Sequence, residues 1–273
     1  MMRKNPVGTV VNYVLTALVA VTFLLPILWV AVTSASPNPG TSQTDGFGWG
    51  NYAALADYGE GVWHYLWNSV VVSVVAVGTA LVAGAMAGYG FARFAFRGKN
   101  AVFVVVLAII MVPYAALLIP LAVWLNEIGL QDSLVGVGLV LALFQLPFAT
   151  FMLRNAFAAI PVELEEAAQL DGCSTAGTFL RVMLPAVKAP LVTVGLFVFL
   201  IAWNDFMVPL FLVGSENAPL PLAMVTMRQQ SMGVIDYGIT TAGVVVLAAP
   251  AVVLFLALQK HYVRGFTSGA VKG

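Results

Sequence analysis

Six long stretches of this chain are almost free of charge, and no soluble fold accommodates such a pattern. They run Asn5 to Thr44, Tyr65 to Ala92, Asn100 to Asn126, Ser133 to Leu153, Ala189 to Ser215 with Asp205 as the lone exception, and Tyr237 to Gln259. A helix rises ~1.5 Å per residue and the hydrocarbon core of a bilayer is ~30 Å thick, so about 20 apolar residues cross it. Each stretch contains such a run. The expected spans lie near 11–33, 67–91, 102–124, 135–154, 189–212 and 240–259. The fold class that follows is an all-α integral membrane protein of six transmembrane helices, because helices satisfy their own backbone in lipid. Composition agrees: 61% of the 273 residues are hydrophobic and 9% are charged, against roughly a quarter charged in soluble domains.

The placement of Lys and Arg orients the spans, since cytoplasmic loops carry the excess. Arg3 and Lys4 precede the first span, and Arg93, Arg97 and Lys99 separate the second from the third. Arg154, Arg181 and Lys188 separate the fourth from the fifth, and Lys260, Arg264 and Lys272 follow the sixth. Only Arg228 falls on the opposite side, where Asp45, Asp57, Glu60, Glu127, Asp132, Glu216 and Asp236 lie. Both termini are therefore expected in the cytoplasm. Twelve basic residues balance twelve acidic ones, so nothing points to nucleic acid or another polyanion.

Arg3 and Lys4 ahead of an apolar run that ends at Ser34-Ala35-Ser36 also fit a secretory leader. The run from about Val10 to Val32 exceeds the roughly 7 to 15 apolar residues of a leader, so an uncleaved first span is expected. Trp49, Tyr52, Trp63, Tyr65 and Trp67 flank the next connection. They suit the headgroup level, and equally the packing of an outer loop. The single cysteine, Cys173, allows no internal disulfide and no paired-cysteine metal site. His64 and His261 fall on opposite sides of the membrane, which excludes a shared metal or catalytic pair.

The connection between the fourth and fifth spans is the longest inner one, and its residues predict two short helices. Pro161 suits a first helical turn, and Glu163, Glu165 and Glu166 sit where the positive helix end favours acid. Gly172 can adopt the left-handed conformation that closes a helix. Ser174 or Thr175 can cap the next helix, and Pro185 ends it. Leu164, Ala167 and Ala168 share one side by three- and four-residue spacing, giving a shallow apolar stripe with an acidic flank. Helices that lie on membrane surfaces carry Lys, Arg and bulky apolar groups; this one is acidic and alanine-rich, which favours docking by another protein.

The same segment resembles the EAA loop of binding-protein-dependent ABC importer permeases. The matching residues are Glu166-Ala167-Ala168, Gly172 after three residues, Val182 after nine more where isoleucine is usual, then Leu184-Pro185. Asn68-Ser69, Tyr89-Gly-Phe-Ala-Arg93 with Phe96-Arg97-Gly98, Trp203-Asn-Asp-Phe206 with Pro209-Leu210, and the tail Gly265 to Gly273 are similar to the carbohydrate, maltose-transporter-like branch. The resemblance implies a type I importer permease in the bacterial cell membrane. It implies a single permease domain over 1–273, with a first span at about 11–33 and a five-helix core at about 67–259. A coupling loop at about 155–188 and a tail at 260–273 complete it. The implied partners are two ATP-binding subunits, a homologous permease forming a heterodimer, an extracytoplasmic solute-binding protein and a sugar. Glu163, Glu165, Glu166, Ala167, Ala168, Asp171, Gly172, Leu184 and Pro185 are the implied docking residues. Gly269, Ala270, Val271, Lys272 and Gly273 are the implied tail contacts with the ATPase subunits, and roughly 213–237 is the implied contact with the binding protein.

No ATP chemistry is expected in this chain. Its only Gly-Lys pair, Gly98-Lys99, lacks the upstream glycine and following Ser or Thr of a phosphate loop. ATP and magnesium are accordingly expected on the partner ATPase subunits, with no cofactor here. Asp205 is the one acid inside a span, open to reading as an ion site or as a partner for backbone freed near Pro209. Asn68, Gln145 and Asn204 are candidates for a sugar path or for interhelical hydrogen bonds. An ion-coupled transporter would need several buried acids and internal repeats, and a membrane enzyme would need a catalytic cluster in one leaflet; the sequence offers neither.

Overall fold

The computed structural model describes residues 6–37, 46–230 and 236–270, with side chains over 10–37, 46–227 and 236–259. All regular elements among the described residues are helical. In chain order they are α1 (Pro6–Ser34), α2 (Gly50–Ala56), α3 (Val62–Arg93), α4 (Lys99–Ala108), a 3-10 turn (Ile109–Met111) and α5 (Tyr114–Glu127). Then come α6 (Leu134–Ala158), α7 (Val162–Leu170), α8 (Thr175–Thr178), a π turn (Phe179–Met183), α9 (Leu184–Ala186) and α10 (Lys188–Asn204). The last three are α11 (Met207–Leu212), α12 (Leu220–Gln230) and α13 (Tyr237–Ala270).

The six expected spans map onto four continuous helices and two bent segments. Val10–Ser34, Val62–Arg93, Leu134–Ala158 and Tyr237–Gln259 are each long and apolar enough to cross a membrane. The third expected span, 102–124, is not one helix: Lys99–Met111 and Tyr114–Glu127 meet at 100°. Pro113 is the cause, because proline forces the preceding residue out of the helical region, and Val112 is extended at φ −77°, ψ 125°. The fifth, 189–212, is interrupted too. Asp205 leaves α10 in an extended conformation at ψ 131°, and the chain restarts as α11. Ahead of it, Thr175–Ala186 meets α10 at 77°.

The chain packs as two compact units, Met1–Val62 with Met224–Ala249, and Trp63–Ala223 with Pro250–Gly273. In the first unit α1 is apolar all round and nearly all its described side chains are exposed within this chain. A helix with no polar face and no buried face belongs in lipid or against another chain. Its end is closed by the buried Asn51, whose Nδ2 donates to the carbonyls of Ser34 at 3.0 Å and Ser36 at 3.1 Å. Ser34 Oγ shares a hydrogen bond of 2.8 Å with the Tyr52 hydroxyl. These bonds occupy carbonyls that a helix end leaves without partners.

In the second unit the core runs between α3, α6 and α10. Val72, Ala76, Ala80 and Ala85 of α3 join Val137, Leu141, Ala149, Leu153 and Phe157 of α6 and Val194 and Val198 of α10. Helices in lipid gain by close backbone approach, which small residues permit. Ala76, Ala80, Gly84 and Gly88 recur every four residues along α3. A Cβ on Gly84 would lie 2.8 Å from the Ala149 Cβ, and one on Gly88 would lie 2.8 Å from the Arg154 backbone nitrogen. On α6, a Cβ on Gly138 would lie 2.7 Å from the Val75 Cβ.

Candidate functional site

The α6–α10 connection is built by its caps. Pro161, extended at ψ 138°, opens α7, and Glu163 and Glu165 stand in the first turn. Gly172 adopts φ +89°, and its N–H bonds Gln169 O at 3.0 Å while that of Cys173 reaches Ala168 O at 3.0 Å. That paired pattern is the Schellman closure, which needs the left-handed residue glycine supplies most cheaply. Ser174 then caps α8, its Oγ accepting from Gly177 N at 3.2 Å. Pro185 has no N–H to return to the preceding turn. The wide π turn at Phe179–Met183 and the short α9 follow, and the chain enters α10 after Val187. Leu184 is half-buried and Pro185 exposed.

The exposed surface of α7 is mixed apolar and acidic. Glu163, Leu164, Glu166 and Ala167 point outward, followed by Leu170, Asp171 and Gly172. Leu170 is 89% exposed; the spacing argument missed it, although its place three residues after Ala167 puts it on the same face. Two members of the expected docking set are buried within this chain. Glu165 and Ala168 are 7% and 8% exposed and face the helices behind.

Glu165 enters a cluster at the end of α3. Tyr89 donates its hydroxyl to Glu165 Oε1. Arg93 Nε lies 3.0 Å from Glu165 Oε2, an ion pair whose angles fall short of an in-line hydrogen bond. Arg93 Nη2 also donates to the Ile160 carbonyl at 2.7 Å. The Tyr89 ring meets Phe94 at 5.5 Å, Phe157 at 5.5 Å and Phe179 at 4.9 Å between centroids. Apolar rings around a charged pair exclude water and strengthen its attraction.

At the other end of α3 a second cluster holds the segment after α11. Asn68 Nδ2 donates to the carbonyls of Glu216 at 3.2 Å and Ala218 at 3.1 Å. Ser69 Oγ accepts from Leu220 N at 2.9 Å, and His64 Nε2 lies 2.7 Å from Glu216 O. Asp132 Oδ1 accepts from Gly214 N at 2.8 Å, and Asn217 Nδ2 donates to the Asp132 carbonyl at 2.8 Å. Asn68 is therefore a structural tie. Asn204 is exposed and donates to Leu200 O within its own helix at 2.7 Å.

Gln145 and Asp205 differ from those two. Both line a cavity of about 350 Å³ with Ile109, Ile110, Val112, Tyr114 and Phe144. The two interruptions of the apolar helices, at Val112–Pro113 and at Asp205–Phe206, border this same cavity. Irregular backbone within a membrane helix is tolerated where protein buries it or water reaches it. Asp205 Oδ1 accepts from Val208 N at 2.8 Å and so caps α11, one of the two roles its sequence position left open. Gly98, at φ +80°, turns the chain into α4, and Lys99 Nζ donates to Phe94 O at 3.0 Å. Of the expected tail contacts, Gly269 and Ala270 end the α13 backbone; Val271, Lys272 and Gly273 lie outside the described residues.

Comparison with known proteins places these features in context. The family model described as binding-protein-dependent transport system inner membrane component matches residues 80–268. The chain is 33% identical to the probable ABC transporter permease protein YurM of Bacillus subtilis, over 99% of this chain and 91% of the relative. It is 35% identical to the trehalose transport system permease protein SugB of Mycobacterium tuberculosis, over 95% of this chain and 96% of the relative. Among solved structures, a chain of a bacterial ABC transporter involved in alginate import superposes with a TM-score of 0.79 at 21% identity, over 95% of this chain and 98% of that one. A chain of the MetNI methionine ABC transporter, facing inward, gives 0.57 at 19% identity over 77% and 95%.

Proposed function

The chain belongs to the binding-protein-dependent transport inner membrane component family, and from that membership we propose that it is one of two permease subunits in an ATP-driven sugar importer. A solute-binding protein outside the cell membrane delivers the sugar, and two ATPase subunits inside bind ATP and magnesium. The second permease is a homologous, different chain, as in the branch the sequence resembles. Relatives are named for trehalose and diacetylchitobiose uptake, which supports a small oligosaccharide as solute. Both termini and the α6–α10 connection lie in the cytoplasm, on the strength of the Lys and Arg asymmetry.

The observation that carries this reading is the outward face of α7. Glu163, Leu164, Glu166, Ala167 and Leu170 present acid and apolar surface together, with Leu170 89% exposed. The ATPase subunits dock there, and Asp171, Gly172, Leu184 and Pro185 shape the turns that hold the helix out. Closure of the ATPase subunits moves α7 and switches the pathway between inward- and outward-facing states. Gln145 and Asp205, at the cavity between the helix breaks, line that pathway. The 213–219 segment, fixed by Asn68, Ser69 and Asp132, faces the binding protein. The α13 tail reaches the ATPase interface.

Co-purification tests the docking. A tagged permease pair retains the ATPase subunits; Glu166→Arg, which reverses a charge on the docking face, and Gly172→Pro, which removes the α7 closure, lose most of them. Undiminished retention by both variants refutes the assignment of this loop.

A further inference from the structure

Glu165 and Glu166 are neighbours in sequence with opposite surroundings: Glu166 is exposed and Glu165 is buried against α3. Burial divides them: Glu166 faces out of the chain and Glu165 faces α3. Connectivity ties α7 to α6 through Ala159–Pro161 and to α10 through α8, the π turn and α9. It provides no tie to α3. Side chains make that link: the Tyr89 hydroxyl and the Arg93 guanidinium both hold the Glu165 carboxylate, and Arg93 also holds the Ile160 carbonyl just before α7. The Arg93–Glu165 contact is an ion pair, the directional bonds are Tyr89 to Glu165 and Arg93 to Ile160 O, and Phe94, Phe157 and Phe179 pack around Tyr89.

Resting on the importer reading above, we propose that Tyr89, Arg93 and Glu165 form a clasp through which motion of α7 is passed to α3. Glu165 is then a positioning residue, and the docking contacts belong to its neighbours. The span α3 carries the small-residue seam against α6 at one level and the Asn68 tie to the 213–219 segment at its far end. A displacement entering at Glu165 therefore reaches the other end of α3 along one continuous helix, without passing through the breaks in the α4–α5 or α10–α11 segments.

The test uses the assembled transporter in lipid nanodiscs, with a solute-binding protein loaded with trehalose or lactose. Glu165→Gln retains the ATPase subunits and the basal ATPase rate, while stimulation by the loaded binding protein falls by about tenfold, within the range of coupling between linked sites. Tyr89→Phe keeps the ring stack, removes one bond to the carboxylate and shows the same split in smaller degree. Arg93→Glu combined with Glu165→Arg regains part of the stimulation lost in either single change. A distance readout separates transmission from folding. Spin labels at Ala95 and Gln169, in a Cys173→Ser background, keep their separation when ATP closes the wild-type assembly and change it in Glu165→Gln. Loss of the ATPase subunits from Glu165→Gln to the extent seen with Glu166→Arg, or full stimulation in Glu165→Gln and Tyr89→Phe, overturns the clasp. A wild-type chain that itself fails to hold the ATPase subunits overturns the importer reading, and the clasp's role with it.

Discussion

A methyl group added at Gly84 would meet the Ala149 Cβ at 2.8 Å, whereas one added at Gly78 would meet nothing within 4 Å. Both glycines lie inside α3, where alanine is the better helix former by about 1 kcal/mol. Gly78 borders an open cavity of about 630 Å³, so Gly78→Ala leaves stability unchanged or raises it. Gly84→Ala forces α3 and α6 apart, and overpacking of this kind costs about 1–3 kcal/mol. Thermal unfolding in nanodiscs reads the difference: a lower midpoint for Gly84→Ala alone is expected, and equal midpoints contradict the close seam. The four-residue recurrence of Ala76, Ala80, Gly84 and Gly88 that marks this seam is legible in the sequence. The division between Glu165 and Glu166 is not. Spacing alone does not say which of two adjacent glutamates points inward; that depends on where Arg93 arrives, and Arg93 is on a different helix.

Among the elements, the interrupted spans depend on single residues. Asp205 accepts the Val208 N–H and starts α11. Asparagine caps as well as aspartate, and alanine forfeits about 1 kcal/mol. Asp205→Asn is therefore expected to keep both stability and transport, since an amide serves sugar hydroxyls as a carboxylate does, whereas Asp205→Ala lowers both. Loss of transport in Asp205→Asn at unchanged stability points instead to a charge-dependent, ion-linked role. Uptake of labelled sugar into proteoliposomes, with unfolding followed in parallel, decides between them. Pro113 marks in the sequence where the third span breaks, since it holds Val112 extended, but the 100° size of the bend cannot be read from one proline, which restricts only its neighbour's backbone. The caps of α7 and α8 were the most legible part of the site, because Gly172 and Ser174 act on backbone within five residues of themselves.

For the whole molecule, charge-free length announces the spans directly, and the four continuous helices and two bent segments follow the six windows. The exposed apolar α1 shows that the chain is not self-contained, since its surroundings must come from lipid or a partner. Cys173, the sole cysteine and partly exposed beside Gly172, offers a direct check of orientation. A membrane-impermeant maleimide labels it in inside-out vesicles and not in intact right-side-out ones; the reverse places the docking face outside and contradicts the proposed coupling. The central claim is that this chain works only by coupling to ATP hydrolysis. The most direct measurement is the ATPase rate of the purified permease pair with its two ATPase subunits in nanodiscs, with and without the sugar-loaded binding protein. Stimulation by the loaded binding protein is expected in the wild type, with its loss in Glu166→Arg. Sugar transport by this chain alone, in liposomes without ATP or ATPase subunits, would contradict it.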